Sequence, residues 1–387
     1  MRVLVSSLPA FGHVYPVMPT AEALRAAGHE VVVATGGTPA DRLAAAGWEV
    51  QRVDAVIEAA VGRVMRERPE LRTLEPRERW RVAAAMFGEV LAADVDEQLT
   101  PVLRATRPDL VVYEELAMGA AVAAARAGVP AVRHGVGPWS PPPMEAACAA
   151  SLTELGRRGE GGERVPEGPE VFGRLHLDVW PAQLGQPGAR LPIPCTALRP
   201  QAWSEGEQPV PGWLRGSRPR PVVYVTLGTV AAGEAPVLRE VLTGLGELDV
   251  DVLAAIGSGL DPAELGPLGP RVHLEAFVPA ARVFPLVDVV VHHGGSGTLL
   301  GASAAGLPQL ALPQRAHDQF PNAAALRAQG CGLDLQPGEV TAAAVHDAVR
   351  RLLEDGAHRE AAGRLAASIA ALPAPAEVVD VLVGLTA

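Results

Sequence analysis

A strand-like run, a glycine-rich turn and a helix-like run follow one another in Val289-Val-Val-His-His-Gly-Gly-Ser-Gly-Thr298. Gly294, Gly295 and Gly297 let the backbone approach a ligand closely, and the amides that open a helix offer unpaired N–H donors with partial positive charge. The chemistry this suits is anion binding, most simply of a phosphate or diphosphate. Ser296 and Thr298 add hydroxyl donors, and His292, beside His293, adds an imidazole. The competing reading is a tight turn with no ligand, but two histidines beside four small residues are more polar than such a turn needs.

Two further loops carry candidate groups. In Gln314-Arg-Ala-His-Asp-Gln-Phe320, Asp318 and Gln319 follow the strand-like run Gln309–Leu312, where a carboxylate and an amide can hold vicinal hydroxyls. Equally, Asp318 can simply cap a helix that begins near Pro321. In Leu8-Pro-Ala-Phe-Gly-His-Val-Tyr-Pro16, His13 follows the first strand-like run. An imidazole with an ordinary pKa of about 6.5 suits a general base near neutral pH. A lone loop histidine is more often incidental; Glu114, ending the run Asp109–Tyr113, supplies a carboxylate that could fix its tautomer and stabilise the cation. For Glu114 and Glu115 the competing reading is a solvated strand end. Asp94-Val-Asp96 and Asp249-Val-Asp251 match a short metal–diphosphate signature, but the first lies in helical sequence and the second at a strand's start.

The elements that must position these groups alternate between short β-branched runs and Ala-rich helical runs, the pattern of βαβ units and a parallel sheet. Strands are expected at Arg2–Leu8, Val31–Thr35, Asp109–Tyr113 and Pro130–Arg133, with helices at Pro16–Ala27, Pro39–Ala46 and Leu116–Ala127. Gly28, Gly47 and Gly128 stop these helices, and a long helical region spans Arg77–Thr106. From Ser140 to Pro221 the periodicity is lost among Pro, Gly and charge, which reads as loops, some short elements and then a linker. A second alternating set starts at Pro221–Leu227 and runs through Pro236–Gly246, Val250–Ile256, Val272–Glu275, Val287–Val291, Thr298–Ala305 and Gln309–Leu312. Helical sequence at Thr341–Ala371 and Ala376–Leu385 closes the chain. The expected organisation is an N-terminal domain over 1–205, a linker over 206–220, a C-terminal domain over 221–370 and a terminal helix over 371–387 that packs back on the first domain. In doubly wound sheets ligands bind at the carboxyl ends of the strands, where all the loops above fall.

Composition limits the partners. The 387 residues carry 33 Lys and Arg against 44 Asp and Glu, a net charge of −11, which repels nucleic-acid backbones and anionic membranes. Aromatics make up 4% of the chain, too few for stacking platforms on single strands. Cys148, Cys195 and Cys331 are odd in number and widely spaced, which argues against a disulfide framework and fits a reducing cytoplasm. The apolar stretch Val3–Ala21 is interrupted by Pro9, Gly12, Pro16 and Pro19, a poor signal-peptide core. Val289–Gln314 contains glycines and prolines that would leave backbone groups unsatisfied in lipid, so no membrane insertion is expected.

Taken together, the GHVYP loop, PDLVVYEE, TLGT, EAFVPAARVFPLVDVVVHHGGSGT and LPQRAHDQF, in this order over nearly the whole chain, resemble GT-B glycosyltransferases of the UDP-glycosyltransferase superfamily, in particular the bacterial antibiotic type. The resemblance implies an α/β fold of two Rossmann-like doubly wound domains facing each other across a cleft. It implies inverting, metal-independent transfer of a sugar from a nucleoside diphosphate to an acceptor hydroxyl, with no cofactor and the nucleotide sugar as co-substrate. By position, His13 looks like the general base, and Glu114 stands where the family usually has its supporting Asp. Phe277 matches the aromatic that stacks on the base, and the Val278 backbone its edge reader. Gly228 and Thr229 of TLGT lie near the phosphates, and His292 aligns with the diphosphate-binding His of a motif that includes His293, Gly294, Gly295, Ser296, Gly297 and Thr298. Asp318 and Gln319 match the pair that holds the donor sugar. The acceptor side falls in the N-terminal half, where Phe11, Gly12, Met86, Phe87, Trp139 and Met144 offer either an apolar pocket for a polyketide-like aglycone or ordinary packing. The antibiotic type favours a dTDP-deoxysugar over a UDP-sugar, and a homodimer stays open as the assembly.

Three rivals have distinct signatures. An NAD-dependent oxidoreductase would use Gly295-x-Gly297 with Asp318 about twenty residues on, but the third glycine is at 301, one residue beyond the usual spacing. A nucleotide-sugar epimerase of the same architecture would convert donor with no acceptor present. A non-catalytic relative would bind and stabilise a partner enzyme.

Overall fold

The computed structural model of the chain describes residues 1–75, 78–158, 164–185, 192–206, 208–216, 218–228, 235–257, 259–314 and 318–386. Among the described residues the alternating apolar runs form thirteen strands: β1 (Arg2–Ser6), β2 (Glu30–Thr35), β3 (Glu49–Arg52), β4 (Leu110–Glu114), β5 (Ala131–His134), β6 (Leu175–Asp178), β7 (Cys195–Ala197), β8 (Val222–Thr226), β9 (Asp251–Ala255), β10 (Val272–Glu275), β11 (Val289–His292), β12 (Gln309–Ala311) and β13 (Gly332–Asp334). They build two sheets, ordered β3-β2-β1-β4-β5-β6-β7 and β10-β9-β8-β11-β12-β13. Every described pairing is parallel. Each is a doubly wound sheet whose strand order reverses once, between β1 and β4 in the first and between β8 and β11 in the second. At such a switch point the loops diverge and leave a crevice at the carboxyl edge.

The chain divides into two compact units. One comprises Met1–Trp180, Gln186–Arg199 and Leu372–Ala387; the other comprises Pro181–Gly185 and Pro200–Ala371. In the second unit, strand residues alternate between the faces of the sheet. Val223, Val225, Val289 and Val291 fill one apolar cluster, while Val222, Tyr224 and Val290 fill another. The segment expected to be a linker over 206–220 is instead part of this unit: Val210 and Leu214 are buried in the second of these clusters. In the first unit, the C-terminal segment is tied down by Arg199, which donates its N–H to Pro373 O at 2.8 Å and its Nε–H to Leu372 O at 3.0 Å. Within Gly356–Gly384 an 18-residue window reaches a mean hydropathy of 1.6, long and apolar enough by composition to span a membrane. The stretch is nevertheless divided into helix Gly356–Ala370, a turn containing Pro373, and short helical segments Pro375–Val378 and Val379–Gly384.

Three departures from the sequence-based expectation bear on the site. The first helix spans Phe11–Ala26, so His13 lies in its first turn rather than in a loop. Pro16 and Pro19, which usually mark a helix start, sit inside it, held by burial of Val14, Val17, Met18, Ala21 and Leu24. The region after Ser140 contains helix Pro142–Arg158. Its prolines stand at the helix start, where a missing N–H costs little. Between helices Trp80–Ala83 and Leu91–Thr106, the segment Ala84–Val90 winds as a π-helix, a rare form that is frequent at functional sites.

Candidate active site

In the first unit, β1 leads into helix Phe11–Ala26 on one side of the switch point and β4 ends in Glu114 on the other, since β1 and β4 are neighbours. The Nδ1 of His13 stands 3.1 Å from the Oε2 of Glu114. This is an ion-pair distance, with the hydrogen-bond angle not met, as is common where catalytic contacts tighten only with substrate. The other carboxylate oxygen of Glu114 accepts the Leu116 N–H at 2.9 Å, which fixes its orientation. Glu114 is fully buried, not a solvated strand end. The longer side chain of Glu therefore does reach the imidazole, and it faces Nδ1.

Beside this pair, Glu114 is in register with His134 of β5. His134 bridges Thr20 Oγ1 at 2.9 Å and the Gly135 carbonyl at 2.7 Å. Its Nδ1 must therefore donate to the carbonyl while Nε2 accepts from the hydroxyl. Burial holds its pKa down to about 4, so it packs the dyad as a neutral ring.

The residues expected on the acceptor side separate. Phe11 is half-buried, stacked edge-on to Tyr15 with ring centroids 5.1 Å apart, and Gly12 is exposed. Phe87, from the π-helical segment, brings its ring to 6.5 Å from that of His13. Met86, Trp139 and Met144 are buried in the apolar core, and Trp139 donates Nε1–H to Asp178 at 3.0 Å. Phe11, Gly12 and Phe87 thus border the dyad, while Met86, Trp139 and Met144 pack behind it.

In the second unit, β8 ends at the turn containing Gly228 and its switch-point neighbour β11 ends at the Gly-rich turn. The two histidines of that turn part company. His292 is fully buried, accepts the Gly294 N–H on Nδ1 at 3.0 Å and lies toward Gln309. Burial, then its neighbour His293, pushes its pKa down to about 3. His293 is half-buried and lies among the loop residues. A Cβ on Gly295 would stand 2.4 Å from its Nε2, and one on Gly228 would stand 3.0 Å from its Cε1. Burial lowers the pKa of His293, opposed by the charge of Asp318. The position aligned with the diphosphate-binding His is thus a fully buried ring that accepts the Gly294 N–H, and His293 is the less buried of the two imidazoles.

Gly294 has φ +88°, open to glycine alone without strain, and a Cβ there would stand 2.9 Å from the Gln319 carbonyl. Helix Ser296–Ala304 opens with Gly295 at its N-cap, no side-chain cap and no acidic residue in its first turn. Its first amides therefore remain open to an anion, with Gly297 exposed among them. Asp318 occupies the N-cap position of helix Gln319–Ala328 but makes no capping hydrogen bond, so the capping explanation does not account for it. Gln319 is buried, and its Oε1 accepts the Gln314 N–H at 2.9 Å. Thr229 lies outside the described residues. Phe277 is exposed on the loop after β10, whereas the Val278 side chain is buried in the core.

Sequence reasoning missed Asn322. Fully buried, it donates from Nδ2 to the Gly294 carbonyl at 2.9 Å and to Ser296 Oγ at 3.0 Å, pinning the Gly-rich turn. The signal was a second amide, after Gln319, in the first turn of the otherwise Ala-rich helix Gln319–Ala328. The Gly-rich turn follows the fourth strand of its sheet in chain order, not the first strand as in the dinucleotide fingerprint. Among the described residues, no group of three or more His, Cys, Asp or Glu is placed to hold a metal ion.

Residues 22–228 match the family model for the Erythromycin biosynthesis protein CIII-like N-terminal domain, and residues 239–385 match that for the C-terminal domain. The chain is 36% identical to elloramycin glycosyltransferase ElmGT of Streptomyces olivaceus, covering 98% of this chain and 96% of that protein. The crystal structure of glycosyltransferase VinC in complex with dTDP superposes with a TM-score of 0.81 at 26% identity, covering 100% of this chain and 99% of that one. The structure of spinosyn rhamnosyltransferase SpnG complexed with spinosyn aglycone gives 0.78 at 27% identity, covering 99% and 100%. Two doubly wound parallel-sheet units, matched family models over both of them and this full-length similarity make the chain a member of the Erythromycin biosynthesis protein CIII-like family, a GT-B glycosyltransferase of the antibiotic natural-product type.

Proposed function

We propose that the protein transfers a sugar, a deoxysugar carried on dTDP, to a hydroxyl of a hydrophobic natural-product aglycone, with inversion and without a metal or other cofactor, in the cytoplasm. The observation that carries this reading is the placement of chemistry at both switch points: a His–carboxylate pair in the first unit and an uncapped, glycine-rich helix start in the second. The structure of VinC with dTDP and that of SpnG with an aglycone support the two substrate classes.

In the proposed reaction, Nε2 of His13 takes the proton of the acceptor hydroxyl as its oxygen attacks the anomeric carbon. Glu114 stabilises the resulting imidazolium. The bond from that carbon to the diphosphate oxygen breaks on the opposite face, so configuration inverts and dTDP leaves. The charge that develops on the diphosphate meets the amides of Ser296, Gly297 and Thr298, the Ser296 hydroxyl and His293, groups already oriented before reaction. Asp318 and Gln319 hold the sugar hydroxyls, and Phe277 stacks on the base, with the Val278 backbone at its edge.

The test incubates the full chain with dTDP-L-rhamnose, a 6-deoxysugar donor, and, separately, 4-methylumbelliferone or spinosyn aglycone, with glycoside detected by mass. Thermal shifts with dTDP, UDP and NAD run in parallel; ligand at about a hundred times its Kd stabilises by about 2.7 kcal/mol. Glycoside formation with a shift for dTDP supports the reading. A shift for NAD alone, or donor conversion that needs no acceptor and yields an isomeric nucleotide sugar, overturns it.

A further inference from the structure

Adjacent residues of β5 point to opposite faces of the sheet. His134 faces Thr20 of helix Phe11–Ala26, whereas Arg133 faces helix Pro142–Arg158. Arg133 is fully buried and lies between two carboxylates that are also buried, Glu145 and Glu115. Its guanidinium donates to both oxygens of Glu145, at 2.7 and 3.3 Å, and to Glu115 Oε2 at 3.4 Å. It also lies over the ring of Phe172, 4.9 Å from the centroid. The second oxygen of Glu115 accepts the Val136 N–H at 2.9 Å, anchoring the loop that leaves β5.

Two routes lead from this cluster to the same imidazole. Glu115 is the chain neighbour of Glu114, which faces His13 at 3.1 Å. Glu145 belongs to helix Pro142–Arg158, whose Cys148 packs so tightly on Gly88 that a Cβ there would meet Sγ at 2.9 Å and Cα at 3.0 Å. Gly88 follows Phe87, whose ring lies 6.5 Å from that of His13. Arg133 therefore ties the strand that carries Glu114 to the helix that backs the π-helical segment, whose Phe87 lies beside the His13 ring. Stability alone gives no reason for ions here, because well-packed apolar residues generally replace a buried ion cluster without loss.

We propose that Arg133, through Glu115 and Glu145, is a positioning residue that sets the distance between the acceptor's apolar wall and the His13–Glu114 pair. The proposal rests on the reading of that pair given under Proposed function.

Two variants of the full chain test it: Glu145→Gln, and the apolar set Arg133→Met with Glu115→Gln and Glu145→Met. Each is measured for Tm, for KM and kcat with dTDP-L-rhamnose and the acceptor that gives product, and for hydrolysis of dTDP-L-rhamnose without acceptor. A displacement of about 1 Å away from the reacting atoms can cost as much as about a hundredfold. The expected result is an acceptor KM raised about tenfold or more, with hydrolysis unchanged and, in the apolar set, Tm preserved. A merely structural role would lower kcat and hydrolysis together, or lower Tm alone, and leave acceptor KM where it was; that outcome overturns the proposal. If the apolar set does not fold, Glu145→Gln carries the test by the same split between KM and hydrolysis. If the wild-type chain forms no glycoside with either acceptor, the failure belongs to the proposed function; unchanged KM in an active, folded variant belongs to the positioning proposal alone.

Discussion

The Nδ1 of His13 lies 3.1 Å from Oε2 of a Glu114 that is sealed from solvent, across the switch point between β1 and β4. Helix Phe11–Ala26 supplies the imidazole and a strand end supplies the carboxylate, so neither depends on a long loop for its place. His13→Ala should lower kcat by about two to four orders of magnitude, the usual worth of general-base catalysis. Glu114→Gln keeps an oxygen for the Leu116 N–H, so it should fold normally and lose less than His13→Ala. Near-wild-type turnover of His13→Ala at saturating substrates would show that this imidazole is not the base.

The two histidines of the Gly-rich turn should separate in mutagenesis. His293 sits among Gly228, Gly295 and Asp318, so His293→Ala should weaken dTDP binding about tenfold, or about 1.4 kcal/mol, with little loss of fold. His292 is interior and receives the Gly294 N–H, so His292→Ala should lower Tm first. Calorimetric titration with dTDP beside thermal unfolding checks both. Equal affinity loss with no change in Tm for His292→Ala would reverse the assignment.

Asn322→Ala removes the donor shared by the Gly294 carbonyl and Ser296 Oγ. Leaving a buried partner unsatisfied costs about 1–3 kcal/mol. Because that cost falls on the turn, dTDP affinity should drop by about tenfold or more while acceptor KM holds. Fluorescence titration with dTDP reads the first, and steady-state kinetics the second. A variant that binds dTDP as tightly as wild type would remove Asn322 from the site.

Acid should destabilise the fold. Burial lowers the pKa of His134 to about 4 and of His292 to about 3, and lowers those of His176 and His293 as well. Unfolded, each takes up a proton near pH 6.5. Between roughly pH 4 and 6.5 the unfolded chain therefore binds more protons at these sites, and stability rises with pH. Glu115 opposes this. Burial raises its pKa to about 7, so the folded state keeps its proton between about pH 4.5 and 7 and stability from that group falls as pH rises. Asp96, whose pKa burial also raises, opposes it in the same sense; four imidazoles outweigh two carboxyls, and each net proton is worth about 1.4 kcal/mol per pH unit. Tm should climb from pH 5 to pH 6.5, and a fall over that interval would contradict it.

Local sequence was enough for much of this protein. Short apolar runs divided by Ala-rich helical runs specify parallel strands with helical crossovers, because burial on both faces demands continuous Val, Ile and Leu. Glycines before Ser296 specify an open helix start, because both the turn and the exposed amides are properties of consecutive residues. Prolines misled where they stood inside helix Phe11–Ala26 and at the start of helix Pro142–Arg158, since packing outweighs their local preference. Pairing of groups far apart in the chain was decided by the tertiary structure alone. Register between β4 and β5 sets Glu114 beside His134, alternation sends Arg133 to the other face, and one residue's step along β11 buries His292 while releasing His293. Such choices depend on which strand lies next to which, and that follows from the combined burial of whole sheets rather than from any residue's neighbours in sequence.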